Sequence, residues 1–257
     1  IRSCLVGSEM CIRDSLILDR KKRKNKIIND TKLLLKDKGI KLLDDDCLLD
    51  EVLGLVEFPN VLIGTIDKQF MNLPKEVLTT AMKVHQKYFS IIDDKNNLVP
   101  KFLFVSNTIP KKERDKSIIE GNERVLKARL SDADFFWKTD TSTKIENFNE
   151  KLKKVLFYEG LGSLHDKTIR LSAVSKYFSS LFKVDVSLAR EACILSKFDL
   201  VSEMVGEFPE LQGIMGGYYT KLNGKPNEIS NAIFDQYKPK GISNDMPKTK
   251  LGCMLSM

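Results

Sequence analysis

Residue types able to act as acid, base or metal ligand are sparse in this chain, and few of them sit in a pattern. There are two histidines in 257 residues. His85 follows an apolar helix face beside Gln86, Lys87 and Tyr88, and His165 lies at a helix start in LGSLHDKT; a lone histidine in such a setting is ordinarily a structural or surface group. The paired carboxylates Asp93 with Asp94, and Asp44 to Asp46, fall in turn-like contexts that favour Asp without chemistry. No GxxxxGK[ST] phosphate loop, GxSxG elbow or GxGxxG is present. One ordered set remains. Asp199, Glu203 and Glu207 recur every four residues in SKFDLVSEMVGEFPELQGIMGGYY, which predicts three carboxylates on one helix face. Lys167 and Arg170, three apart, share a face of another expected helix. The opposite charges are expected to meet, Arg170 pairing with Glu203 or Glu207 and fixing a structural joint. A second set, Arg124, Lys127 and Arg129 beside Asn122, could contact RNA phosphates, each neutralised phosphate adding a salt-dependent increment. Glu123, Asp132 and Asp134 interleave with it, so intrachain ion pairs are an equally open reading. Nearby Phe135, Phe136 and Trp137 offer either stacking on RNA or burial at a domain joint.

Positioning these groups requires particular elements. Leu200, Met204, Val205 and Phe208 supply the apolar face of the carboxylate helix, and Pro209 ends it. A second helix is expected to start at Pro209, with Leu211, Ile214, Met215 and Tyr218 inward. Gly213, Gly216 and Gly217 leave a bare second face, unfavourable by about 1 kcal/mol each against Ala, so another backbone is expected to come close there. Upstream, DRKKRKNKIINDTKLLLKDKG reads as a basic amphipathic helix ending at Gly39. Its charge run Arg20 to Lys26 is read as a solvated face. VLIGTI, Tyr88 to Ile92 and Val99 to Ser106 read as strands, the last two joined by the hairpin chemistry of Asp93 to Asn97. Helices are expected over Lys75 to His85 and over Asp115 to Lys138, the latter with Ile118, Ile119, Val125, Leu126, Leu130 and Phe135 inward. Beyond Thr139 strand signals stop. Asp166 to Phe182 shows Leu171, Val174, Phe178 and Leu181 at helical spacing, and Asp185 to Phe198 and Asn227 to Tyr237 complete an expected bundle. TDTSTKIENFN, polar and turn-rich, is the expected joint. The fold class is therefore α+β: a sheet-and-helix module over residues 16–140, then an all-helical domain over 141–257.

Residues 1–15 stand apart. LVGSEMCIRDS (Leu5 to Ser15) resembles a translated sequencing-library adapter and is read as non-native. Removing the segment takes two cations, Arg2 and Arg13, and two anions, Glu9 and Asp14, so the net charge stays at +7. That charge permits an acidic partner such as RNA without requiring one. Cys47, Cys193 and Cys253 then remain, distant and with no CxxC pair, which predicts neither a disulfide framework nor a zinc site and fits a reducing cytoplasm. With 30% charged residues and short apolar runs, neither a membrane span nor a signal peptide is expected.

KFDLVSEMVGEFPELQGIMGGYY closely resembles the stretch that marks the beta subunit of bacterial heterotetrameric glycyl-tRNA synthetase. LVEFPNVLIGTID, HQKYFSIID, LVPKFLFVSN, GNERVLKARLSDADFFW and LGSLHDKTIR support the resemblance in order, over everything from about Leu16 onward. It implies an internal fragment of a longer beta chain. It also implies that the sheet region is similar to a tRNA-interacting module of the phenylalanyl-tRNA synthetase beta chain, and the helical region to an HD-type fold. Active HD members bind divalent metal through several histidines and aspartates; only His165 lies in this half, so no metal cluster is expected. The implied function is support of tRNA binding and assembly in ATP-dependent glycyl-tRNA formation. The alpha subunit and tRNA(Gly) are the implied partners in an alpha2beta2 complex, ATP and magnesium are used by the alpha subunit, and this chain holds no catalytic residue or cofactor. An HD-type metal phosphohydrolase and an RNA-binding scaffold outside aminoacylation are the alternatives.

Overall fold

A computed structural model describes residues 16–36, 39–239 and 245–257; the adapter reading of residues 1–15 lies outside them. Two compact units divide at Asp132/Ala133, earlier than the expected 140/141.

The first unit opens with α1 (Arg20–Leu35), whose start is capped by Asp19 accepting from the N–H groups of Lys21 and Lys22. Ile27, Thr31 and Leu35, four apart, turn inward. Then come β1 (Ile40–Leu42), α2 (Asp46–Leu55, capped by Asp45), β2 (Pro59–Thr65), a 3-10 turn (Lys68–Asn72), α3 (Lys75–Gln86), β3 (Phe89–Asp93), β4 (Leu98–Asn107) and the start of the long helix α4 (Lys112–Ser142). The four strands pair antiparallel in the order β1-β3-β4-β2. β1 carried no strand signal, being only three residues long. The β3–β4 turn follows its sequence: Asp93 accepts from the N–H groups of Lys95 and Asn97, and Asn96 takes φ 61. On one sheet face Val61, Phe89, Ile91 and Leu103 form a core with Ile27, Leu35, Leu48, Val52 and Leu53, each large side chain contributing about 1.5–3 kcal/mol on burial. Tyr88, Phe102 and Phe104 form a ring cluster, Tyr88 and Phe102 stacking at 4.7 Å. α4 is tied to β2 by Thr65, whose N–H and hydroxyl both donate to Glu123 at 2.7 Å. Its buried stripe is Leu126, Leu130 and Ala133, while Val125 and Phe135, expected inward, are exposed; the helix buries a narrower face than its apolar residues would fill.

The second unit takes in the last turns of α4, then α5 (Ile145–Leu152), β5 (Leu156–Tyr158), β6 (Gly162–Ser163), α6 (Leu164–Phe182), α7 (Val186–Ile194), a 3-10 turn (Phe198–Val201), α8 (Glu203–Glu207), a second 3-10 turn (Pro209–Leu211), α9 (Ile214–Leu222), α10 (Asn227–Asp235) and α11 (Lys250–Ser256). It is a helical assembly with one small antiparallel hairpin, β5–β6, that the all-helical expectation lacked. TDTSTKIENFN is helical on either side of Thr143, as the end of α4 and as α5.

α6 reverses the expected core face. Leu171, Val174 and Leu181 are exposed and Phe178 is half-buried, whereas Thr168, Ser172, Ser175 and Ser179 are buried. α6 packs chiefly on α7, whose buried residues are Ala189, Ala192 and Cys193. Small residues on both sides let two helices approach closely. The hydroxyls of Ser175 and Ser179 are satisfied inside the helix, donating to the carbonyls of Ser172 (2.7 Å) and Ser175 (2.6 Å).

Candidate functional site

The stretch from Ser196 to Tyr219 is broken into four short elements rather than two helices, and this rearranges its carboxylates. Ser202, at φ −79 and ψ 152, leaves the helical region after the first 3-10 turn and caps α8, accepting from the Val205 N–H at 3.2 Å. Asp199 and Glu203 therefore do not share a continuous helix, and the expected three-carboxylate face is not formed. Asp199 points inward with 0% exposure, while Glu203 and Glu207 stay at the surface. Pro209 opens only a 3-10 turn; the second helix starts at Ile214, because Gly213 takes φ 79 before it.

Asp199 crosses to that helix start. Its Oδ2 accepts from the N–H groups of Gly213 (2.6 Å) and Gly216 (3.0 Å), two donors that no intrahelical carbonyl can satisfy. Gly216 and Gly217 are required by this approach and by side chains of α10, while at Gly213 an added Cβ would lie 2.7 Å from the Tyr237 ring and 3.3 Å from the Ile233 carbonyl oxygen, the one place where the expected backbone neighbour is found. A Cβ on Gly216 would lie 3.0 Å from the Asp199 carboxyl carbon and 2.9 Å from Ile233 Cγ2, and one on Gly217 would lie 2.5 Å from the Phe234 ring. Asp199 Oδ1 has no hydrogen-bond partner. Burial raises the Asp199 pKa to about 6 against the pull of the two N–H groups and of Lys197. Burial also lowers Lys197 to about 8, helped by the like charge of Lys167 and opposed by Asp199. Lys197 Nζ donates to Gln236 Oε1 (3.0 Å) and the Tyr237 hydroxyl (2.9 Å) and sits 4.2 Å over the Tyr237 ring.

A second buried carboxylate does the same for α8. Asp140, on the last turns of α4, accepts from the N–H groups of Glu203 and Met204, both at 3.0 Å, and from the Tyr219 hydroxyl at 2.7 Å. Burial and this carboxylate push the Tyr219 pKa well up, so the ring stays a donor. Tyr219 also lies among the rings of Trp137, Phe148 and Phe198. Thus Asp140, Tyr219, Lys197 and Tyr237 join Asp199, Gly213 and Gly216 in the polar packing of the second unit, and the sequence singles out only the latter three. Asp140 gave no signal because it sits in a polar run; Tyr219 ended the recognisable stretch but lay outside the read periodicity.

The other expected residues go elsewhere. Arg170 Nη1 donates to the Leu161 carbonyl at 2.8 Å, while Glu203 lies 3.8 Å from Lys151 of α5. Lys167 Nζ lies 4.2 Å over the Phe157 ring. In the first unit Lys127 pairs with Asp67 at 2.8 Å, Arg124 is exposed and Arg129 is half-buried. Among the described residues no group of three or more His, Cys, Asp or Glu could hold a metal ion. What the joint can do is hold helix ends in place.

A family model described as glycyl-tRNA synthetase beta subunit matches residues 9–257. Proteins named glycine–tRNA ligase beta subunit are similar over most of the chain. The one from Geobacter sulfurreducens is 42% identical over 96% of this chain and 36% of its own length. That from Thermodesulfovibrio yellowstonii is 42% identical over 94% and 36%, and that from Rickettsia felis 44% identical over 90% and 34%. The chain spans about a third of the length of these curated relatives.

Proposed function

Because this chain belongs to the glycyl-tRNA synthetase beta subunit family, we propose that it serves glycyl-tRNA formation as a scaffolding and tRNA-supporting part of the enzyme. The observation that carries the scaffolding role is the use of Asp140 and Asp199: both buried carboxylates are aimed at backbone N–H groups of helix ends. On this reading the alpha subunit forms glycyl-adenylate from glycine, ATP and magnesium, and the beta subunit presents tRNA(Gly) within an alpha2beta2 assembly in the cytoplasm. No helix among the described residues is long and apolar enough to cross a membrane. The phosphohydrolase and the unrelated RNA scaffold give way to the family membership.

Aminoacylation assays with ATP, magnesium, glycine and tRNA(Gly) test the reading. This chain alone is expected to charge no tRNA, and the assembled synthetase carrying it to charge tRNA(Gly). Charging by the purified chain alone, or an assembled enzyme inactive on tRNA(Gly), would overturn it.

A further inference from the structure

The hairpin β5–β6 and the first turns of α6 contain LGSLHDKTIR, which the buried joint does not use. On one face of β5 Leu156 and Tyr158 are open to solvent, 70% and 65% exposed, while Phe157 on the other face is 37% exposed. A ribbon this short does not hold itself in water; here it is braced. The Leu164 N–H donates to the Val155 carbonyl at 2.8 Å. Arg170 Nη1 reaches the Leu161 carbonyl at 2.8 Å, and Lys167 covers Phe157. Ser163 and Asp166 close a capping box that fixes β6 to the helix. The register sets Gly162 opposite Tyr158 and Ser163 opposite Leu156, so bare backbone lies beside the Tyr158 ring.

Lys153 and Lys154 are exposed just before β5. Of the neighbouring acids, Glu150 pairs with Lys153 at 2.6 Å, Asp166 accepts from the Ser163 N–H and hydroxyl, and Glu159 occupies the turn.

We propose that this braced hairpin is a stacking platform for unpaired RNA nucleotides, with Tyr158 against a base and Lys154 beside a phosphate. An exposed ring on a braced backbone with no cross-strand side chain is open to a flat partner, and Lys154 at the strand entry suits a polyanion. Single strands present base faces, whereas a duplex hides them. The inference rests on the tRNA-supporting role proposed above.

The test uses the assembled synthetase that carries this chain, with tRNA(Gly) transcript, a short single-stranded RNA and a duplex RNA as probes. Tyr158→Ala is expected to weaken tRNA binding about 5- to 100-fold, the range for loss of one stacked base, with melting temperature and subunit assembly unchanged. Tyr158→Trp should retain affinity, single strands should compete better than duplex, and Lys154→Ala should reduce the salt slope by about one. Unchanged affinity in Tyr158→Ala, with wild type binding tRNA, would overturn the platform alone. Wild type failing to bind tRNA would overturn the functional reading itself. Separation of the subunits by Tyr158→Ala at unchanged melting temperature would overturn it in favour of a protein contact.

Discussion

Asp199 shows how a residue chosen for one reason can work for another. Its four-residue spacing to Glu203 suggested one carboxylate face pairing with cations of another helix, yet it is a fully buried acceptor for two helix-start N–H groups. Nothing in the spacing of three carboxylates distinguishes these outcomes, because the break at Ser202 depends on which hydroxyl finds the Val205 N–H. Its titration gives a prediction. The folded pKa, about 6, lies above the ordinary 3.8, so between roughly pH 4 and 6 the folded state holds a proton that the unfolded state has released. Stability from this group is therefore present below that window and falls as pH rises through it, by on the order of 3 kcal/mol for a shift of about two units. Lys197, lowered from 10.5 to about 8, has the opposite slope, stability rising as pH climbs above 8. The pair's contribution is thus lowest between about 6 and 8. Urea unfolding of Asp199→Asn across pH 4–7 should show the acid-side slope flattened relative to wild type. An identical slope would place the titration on another group. Asp199→Ala, which orphans two buried N–H groups, is expected to cost about 2–4 kcal/mol at pH 7.

Elements were legible where alternation or caps dictated them. β2, β3 and β4 and the turn at Asp93 to Asn97 follow from β-branched runs and Asx chemistry, and α3 from its apolar period. The faces were less legible. In α6 the period identified a stripe of Leu171, Val174, Phe178 and Leu181, but hydrophobicity alone could not say that a Ser/Thr stripe would be the buried one; close packing on Ala189 and Ala192 decided that. Glycines divide likewise. Gly206, in α8, has nothing within 4 Å of an added Cβ, whereas at Gly217 the Phe234 ring lies 2.5 Å away. Gly206→Ala should therefore stabilise by about 0.5–1 kcal/mol through helix propensity alone. Gly217→Ala should destabilise by about 1–3 kcal/mol through overpacking. Paired thermal or denaturant melts check both signs, and stabilisation at Gly217 would mean that Phe234 moves aside without cost.

At the scale of the molecule, the recognisable stretches run in family order across both units, while the second unit adds to its apolar core, with Phe148, Phe198, Leu211 and Ile233 buried, the buried carboxylates of Asp140 and Asp199, of which composition gives no sign. The same unit leaves apolar surface uncovered. Val174 is 51% exposed and Leu181 61%, on the helix face that sequence marked as core, and apolar side chains exposed on one helix face favour association. From Lys167 to Val184 the helix and its C-terminal cap carry Lys167, Arg170, Lys176 and Lys183 and no carboxylate, so low salt opposes self-association by like-charge repulsion and higher salt relieves it. The chain by itself is therefore expected to self-associate increasingly as salt is raised, the opposite of the salt response of a phosphate contact. Sedimentation velocity of wild type and of Val174→Lys/Leu181→Lys checks this. The double variant should remain monomeric with stability within about 0.5 kcal/mol per site, as for surface positions. A loss several times larger would show that the stripe is buried in solution. Association undiminished in the variant would place the contact on another surface.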